Sequence, residues 1–450
     1  MDRTSCEHKM SWHATWALAV GGMIGGGIYT LAGVILGVAG PLAWLSLLLG
    51  SVIALLTVRS YAALTLEIAQ EGVPFSFLLK KGRYRTATVT VWWLLLVYVL
   101  AMSVYAFTFS QYVGRALGIP PSSVALLVVG IITALAVVNL CGLQVPAGVQ
   151  IVAVWVELSI LGVLALIGFL RWNPENLVSG VPSGSFAGVI AGMAATFIAF
   201  EGFEMIAYDV RELRHPRRAL KTALPAAILT VAAAYSLVTL GAASLVGAGE
   251  LAEQKENALA IAGSEAAGVA GLVVVTIAAC ASAASAINAT LFSVARLARS
   301  AAESRLIPGF FARTNRNRCP YWGVLILGVA TAVLSAIASL EPLVQSASLA
   351  FLLLFAFVNT LAFIESRAKN LLSLLGAIAS SGAAVVVGRS LALHHRIALL
   401  GFAAACVLSV LGYVLMMLRR RARGEPPLRR DPRVQKRREL TVPGLRERRT

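Results

Sequence analysis

Two short stretches and one isolated acid carry the residue types that could do chemistry. Gly21-Gly22-Met23-Ile24-Gly25-Gly26-Gly27-Ile28 holds five glycines in eight residues, inside an apolar run from His13 to Val38. Ala199-Phe200-Glu201-Gly202-Phe203-Glu204 sets two carboxylates and a glycine within four residues. Glu157 stands alone in a third apolar run. A glycine in a helix interior costs about 1 kcal/mol relative to alanine, and glycines that serve close helix packing recur every fourth residue rather than contiguously. The first stretch therefore predicts a helix that is interrupted so that its backbone can approach a ligand. A carboxylate at mid-membrane costs about 2.5–3.5 kcal/mol on insertion scales. Glu201 and Glu204 must find water, a partner or a proton, unless they lie at a helix end near the inner interface, ahead of Tyr208-Asp209.

The elements that hold these residues follow from composition. The 450 residues are 58% hydrophobic and only 13% charged, against about 25% charged in soluble domains, and mean hydropathy is +0.81. The chain reads as an all-α polytopic membrane protein. Twelve segments approach the roughly 20 apolar residues that a span needs: 13–38, 41–70, 87–116, 122–140, 146–170, 184–208, 223–246, 267–300, 322–339, 343–365, 371–391 and 397–418. Nearly all of the 38 lysines and arginines fall in alternate connecting segments. By the positive-inside rule this puts both termini in the cytoplasm and the protein in the cytoplasmic membrane. Residues 1–12 form a cytoplasmic N-terminus, and 419–450 form a basic, proline-containing tail expected to be disordered and able to meet anionic lipid. Residues 71–86 mix Phe75, Phe77, Leu78 and Leu79 with four basic residues and read as a short helix on the inner membrane surface. The net charge of +17 does not suggest nucleic acid, because the basic tail has no aromatics and the excess flanks spans. The five cysteines have no metal-ligand spacing, no cleavable signal peptide is expected, and no cofactor motif stands out.

The first and sixth segments each carry a glycine-bearing interruption and stand five spans apart. An odd offset makes the halves point in opposite directions, which is the sequence pointer to a transporter site. A half-helix start presents N–H groups that suit a carboxylate, and a half-helix end presents carbonyls that suit an ammonium. One zwitterion satisfies both, so an α-amino acid is the expected ligand.

With Ala39-Gly40-Pro41, Ser60-Tyr61-Ala62 and Ala356-Phe357-Val358-Asn359 beside the two glycine-bearing stretches, the chain resembles the amino acid permeases of the amino acid–polyamine–organocation (APC) superfamily. Gly25-Gly26-Gly27-Ile28-Tyr29 resembles the family's G-S-G-I-F and Ala39-Gly40-Pro41 its A-G-P. Ser60-Tyr61-Ala62 resembles S-Y-A, and Phe200-Glu201-Gly202-Phe203-Glu204 resembles F-x-G-F-E. Glu212-Leu213-Arg214-His215-Pro216-Arg217-Arg218 is similar to E-x-x-N-P-x-R. Asn288, Ala295-Arg296 and Leu306-Ile307-Pro308 follow the eighth-helix pattern, and Ala356-Phe357-Val358-Asn359 resembles F-x-V-N. The resemblance implies a LeuT-like fold of two inverted five-helix repeats (13–170 and 184–365), with helices 1 and 6 discontinuous, plus two C-terminal helices (371–418). It implies alternating access, with the substrate carboxylate at amides near Gly25, Gly26 and Gly27. The ammonium would lie at carbonyls near Met23, Ile24, Ala199 and Glu201, with Gly202 in the second break and Phe200 as an aromatic lid or ordinary core. The chain departs from the family at Ala32, Ala63 and His215. In the fifth span, proton-coupled members carry a lysine where this chain offers Glu157.

About eleven residues into its run, Glu157 lies close to mid-membrane at 1.5 Å per residue. There it could carry a proton, coordinate sodium, pair with a cationic substrate, or serve as a hydrogen-bonded acid inside the bundle. Ser282 and Ser285, three apart on the eighth span, share a face and could join Glu157 or simply pack. Asn288 and Asn359 read as clasps between helices. No Walker motif and no mid-span histidine occur, so neither an ATPase nor a metal-dependent membrane enzyme is expected. The function expected is secondary amino acid transport, by proton-coupled symport or by exchange. A channel or a membrane amino acid sensor is the alternative. A net acidic centre (Glu157, Glu201, Glu204) favours cationic or neutral substrates.

Overall fold

The first apolar run folds as two half-helices, α1 (Trp12–Ile24) and α2 (Gly27–Ala39), in a computed structural model that describes residues 9–25, 27–68, 73–120, 123–143, 147–208, 210–365 and 370–422. Ser11 starts α1 by accepting the Ala14 N–H at 3.2 Å, a side-chain cap for an otherwise orphaned donor. Gly25 ends it, with φ 38° and ψ −129°, a conformation that only glycine adopts cheaply. A turn at Gly40–Leu42 leads to α3 (Ala43–Ile68), followed by α4 (Val73–Lys80), α5 (Tyr84–Ala116), α6 (Val124–Leu140) and α7 (Ala147–Leu170).

The sixth segment is broken as well. It runs as α8 (Phe186–Ala195), a 3-10 turn at Phe197–Phe200, and α9 (Phe203–Tyr208). Glu201 between them is extended (φ −72°, ψ 152°), and Gly202 has φ 114°. The chain continues through α10 (Pro216–Arg218), a π turn at Ala219–Ala223, α11 (Leu224–Val246) and α12 (Ala248–Glu253). In α13 (Ala258–Glu303) non-helical angles at Ala267 and Gly268 divide a short helix from the crossing that follows. Last come α14 (Tyr321–Ile337), α15 (Leu340–Glu365), α16 (Leu371–His394) and α17 (Arg396–Ala422). The expected disordered tail falls, from residue 423 on, outside the described residues.

Among the described residues, eight helical stretches are long and apolar enough to cross a membrane, and shorter apolar helices lie at Val124–Leu140, Phe186–Ala195 and Tyr321–Ile337. Phe186–Ala195 is short because the sixth segment breaks in its middle. No strand occurs among these residues; Met10 and Leu213 form one isolated bridge. Counterparts from the two halves pack along each other, α5 against α13 and α3 against α11. At Gly168 a Cβ would lie 2.1 Å from the Gly241 carbonyl oxygen, so α7 and α11 touch backbone to backbone, as small residues allow in membrane bundles.

Polar contacts sort the connecting segments into two sets. On one face Met10 N–H donates to Glu212 O (2.7 Å) and Arg214 N–H to Met10 O (3.0 Å). On the same face Lys81 meets Glu67 at 3.7 Å and Glu365 at 3.8 Å, and Arg296 meets Glu212 at 3.5 Å. On the other, Lys255 and His395 converge on Glu341 at 2.9 and 3.6 Å. Each of these ion pairs joins segments that the alternation of basic charge assigns to the same side. The short helix expected near residue 71 exists as α4, but Phe75, Phe77 and Leu78 are buried. They pack on α3 and α5 instead of lying in the membrane surface, because a neighbouring helix offers closer contacts than fluid lipid does. The asparagine clasps are present. Asn139 Nδ2 donates to Asn288 Oδ1 at 2.8 Å, and Asn359 Nδ2 donates to Thr57 Oγ1 at 2.9 Å.

Candidate functional site

The two breaks meet. A Cβ at Gly202 would lie 2.6 Å from the Gly22 carbonyl carbon and 3.0 Å from the Met23 nitrogen. One at Gly27 would lie 3.6 Å from Ala199 Cα. Gly25 faces Ala286 and the Tyr105 ring, whose carbons are 3.3 Å from where a Cβ would stand. Gly26 lies outside the described residues. Met23, Ile24, Ala199, Phe200, Glu201 and Tyr105 are all buried to within 1% of complete, so the meeting point is closed from both faces.

Backbone groups freed by the breaks are satisfied by side chains from elsewhere, as buried polar groups must be. Tyr235 on α11 donates its hydroxyl to Met23 O at 2.8 Å. Ser348 on α15 accepts the Ile198 N–H at 3.1 Å and donates to Ala195 O at 2.8 Å. Ser348→Ala removes both partners, each worth about 1–3 kcal/mol when left unpaired. A lowered thermal midpoint and weakened ligand binding are the expected result, readable by a melt with and without amino acid. Phe200 packs its ring where a Gly50 Cβ would otherwise stand, 2.8 Å from its edge, and lies 6.0 Å from the Tyr235 ring. It therefore fills the space between α3 and α11 beside the breaks.

Three tyrosines on α5, seven residues apart, reach both broken segments. Tyr112 donates to Tyr29 O at 2.8 Å. Tyr105 donates to Glu201 Oε2. Tyr98 donates to Glu204 Oε1 at 3.2 Å and lies 3.0 Å from the Tyr208 hydroxyl. The Gly202 N–H closes the other side of Glu204, at 3.0 Å from Oε2. A spacing of seven returns to nearly the same helix face, so the sequence could show that the three tyrosines share a face but not what they reach. Tyr98, Tyr105, Tyr235 and Ser348 were not among the sequence candidates.

A second polar group lies beside the first. Glu157, on α7, has Ser282 and Tyr29 as its polar neighbours. Glu157 Oε1, Ser282 Oγ and the Tyr29 hydroxyl are buried, and none of them has a hydrogen-bond partner outside this group. Glu157 and Ser282 thus come together as the sequence suggested. Ser285 does not join them: it lies on the exposed stripe of α13 with Ile277, Ala281 and Ala289. Three residues turn a helix by about 300°, and at the edge of the bundle the remaining 60° separates interior from exterior. No group of three metal-ligating side chains occurs among the described residues.

Comparison with known proteins gives a consistent set of likenesses. The family profile described as "Amino acid permease" matches residues 10–423. The chain is 30% identical over 383 residues to cationic amino acid transporter 4 of Homo sapiens, covering 79% of this chain but 59% of that longer protein. It is 27% identical over 354 residues to the inner membrane transport protein YbaT of Escherichia coli, covering 77% and 81% of the two chains. In solved structures, the manganese transporter of Eremococcus coleocola superposes with a TM-score of 0.57 at 12% identity, covering 90% of this chain and 95% of that one. At that identity the likeness is one of fold.

Proposed function

The chain belongs to the amino acid permease family, and we propose that it carries an α-amino acid across the cytoplasmic membrane by alternating access, coupled to a proton. The observation that carries this reading is the contact of two helix breaks at Gly22 and Gly202, inside a closed, buried centre. The first turn of α2 leaves amide N–H groups without intrahelical acceptors, and its positive dipole end suits the substrate carboxylate. Carbonyls at the end of α1 and in the turn around Ala199 suit the ammonium. Tyr235 holds the Met23 carbonyl and so sets the shape of the first break.

Alternating access then needs the two faces to open in turn. On the face of the N-terminus, the Met10 bridge and the Arg296–Glu212 pair would part. On the other, the Lys255–Glu341–His395 cluster would part. Glu157, with Ser282 and Tyr29 around it, is the group proposed to take and give the coupled proton. It sits beside the first break, and its unclosed oxygen can accept a proton that a Ser282 or Tyr29 oxygen then shares.

The test is uptake of labelled amino acids into proteoliposomes of the purified protein. Saturable, stereoselective uptake that rises above the outside concentration under an imposed proton gradient is the expected result. Flux linear in concentration would replace the reading with a channel. Tight binding without flux would replace it with a sensor.

A further inference from the structure

Glu201 and Glu204 are adjacent, buried to within 1% of complete, and no ion pair among the described residues involves either. Their surroundings differ. Glu204 accepts from Tyr98 on one oxygen and from the Gly202 N–H on the other. Both of its oxygens face donors, which is the set an ionised carboxylate requires. Glu201 accepts from Tyr105 on Oε2, while its Oε1 is buried without a hydrogen-bond partner. Two neighbouring carboxyls inside a low-dielectric bundle hold one negative charge far more cheaply than two. Glu204 is thus provided for as the anion, whereas Glu201 has a donor on one oxygen only.

Its position makes that unpartnered oxygen useful. Tyr105, which orients Glu201, also packs on Gly25 in the first break. Tyr235 holds the Met23 carbonyl at the end of the same break. The Glu201 carboxyl of the second break is therefore tied through Tyr105 to the first, with one oxygen unclaimed.

We propose that the unclaimed Glu201 Oε1 receives the cationic side chain of the substrate, and that the incoming ammonium or guanidinium displaces the Glu201 proton to solvent. The inference rests on the carrier reading above and narrows it to cationic amino acids. The exchange balances: the carboxylic acid loses H⁺, the carboxylate formed pairs with the substrate N–H⁺, and the buried charge is unchanged. Charge-assisted pairing of this kind is roughly twice as strong as a neutral hydrogen bond, and an unpaired carboxylate left behind would be costly. Binding of a cationic substrate is thus linked to release of a proton, whereas a neutral substrate of the same length leaves Glu201 protonated.

The test compares L-lysine with L-norleucine, which has the same backbone and side-chain length without the ammonium. Binding to the purified protein is measured calorimetrically in buffers of different ionisation enthalpy, so that proton release is read directly. Lysine is expected to bind at least about tenfold tighter than norleucine and to release about one proton more. In Glu201→Gln the lysine-over-norleucine ratio is expected to fall to about one and the extra proton to vanish, while Glu201→Asp restores both in part. A lysine preference that survives in Glu201→Gln overturns the proposal. So does lysine binding to the unaltered protein without extra proton release, a measurement that needs no variant to fold. Norleucine uptake into proteoliposomes without lysine preference overturns this inference and leaves the carrier reading standing. Folded protein that carries none of the labelled amino acids brings down the carrier reading itself.

Discussion

Gly202→Ala is expected to abolish uptake while the neighbouring helices still insert. The residue has φ 114°, a region that an L side chain enters at a cost of about 1–3 kcal/mol. The added carbon would also lie 2.6 and 2.7 Å from the Gly22 carbonyl carbon and oxygen. Neither side of that contact is a flexible side-chain end. Relief requires the backbones of the two breaks to move apart, and they are the two halves of the proposed binding surface. Amino acid affinity is expected to drop by at least about tenfold, since each 1.4 kcal/mol is a factor of ten. Gly382→Ala is the comparison: nothing lies within 4 Å of its added carbon, and alanine is the better helix former. It is expected to leave uptake unchanged and the thermal midpoint equal or higher. Equal activity in both variants would show that the two breaks need not touch.

Glu157→Gln is expected to uncouple accumulation from the proton gradient. The change keeps the shape and most of the hydrogen-bonding capacity but removes ionisation at a site where Glu157 Oε1, Ser282 Oγ and the Tyr29 hydroxyl have no other partners. Gradient-driven accumulation in proteoliposomes is expected to fall by at least about tenfold, toward a ratio of one. Ser282→Ala removes one neighbour of the carboxyl and is expected to shift the pH profile. Ser285→Ala, on the exposed stripe of α13, is expected to change neither. An unchanged pH profile and unchanged cation dependence in Glu157→Gln would remove Glu157 from coupling. Altered coupling in Ser285→Ala would contradict the separation of the two serines.

Some of the centre was legible because it rests on local free energies. Five glycines within eight residues make a continuous helix costly whatever surrounds them, and α1 does end at Gly25. Two acids and a glycine in the sixth segment make an uninterrupted apolar helix costly too, and the chain is extended at Glu201. The charge asymmetry of the connecting segments likewise corresponds to the two sets of polar contacts. Ser282 and Ser285 mark the limit of such reasoning. A helical wheel states which residues share a face, but the depth and tilt of α13 in the bundle decide where that face ends.

The amino-acid sequence by itself determined that the chain is a set of long apolar helices, where two of them cannot remain helical, and which family the motifs resemble. Each of these depends on the solvation and backbone cost of residues near one another in the chain. Only the tertiary structure decided that Tyr105 orients Glu201 across 96 residues, that Tyr235 holds the Met23 carbonyl across 212, and that one oxygen of Glu201 is left unclaimed. Hydrogen-bond partners so far apart are chosen by how helices pack. Packing depends on the shape of the whole bundle, which no local stretch of sequence encodes.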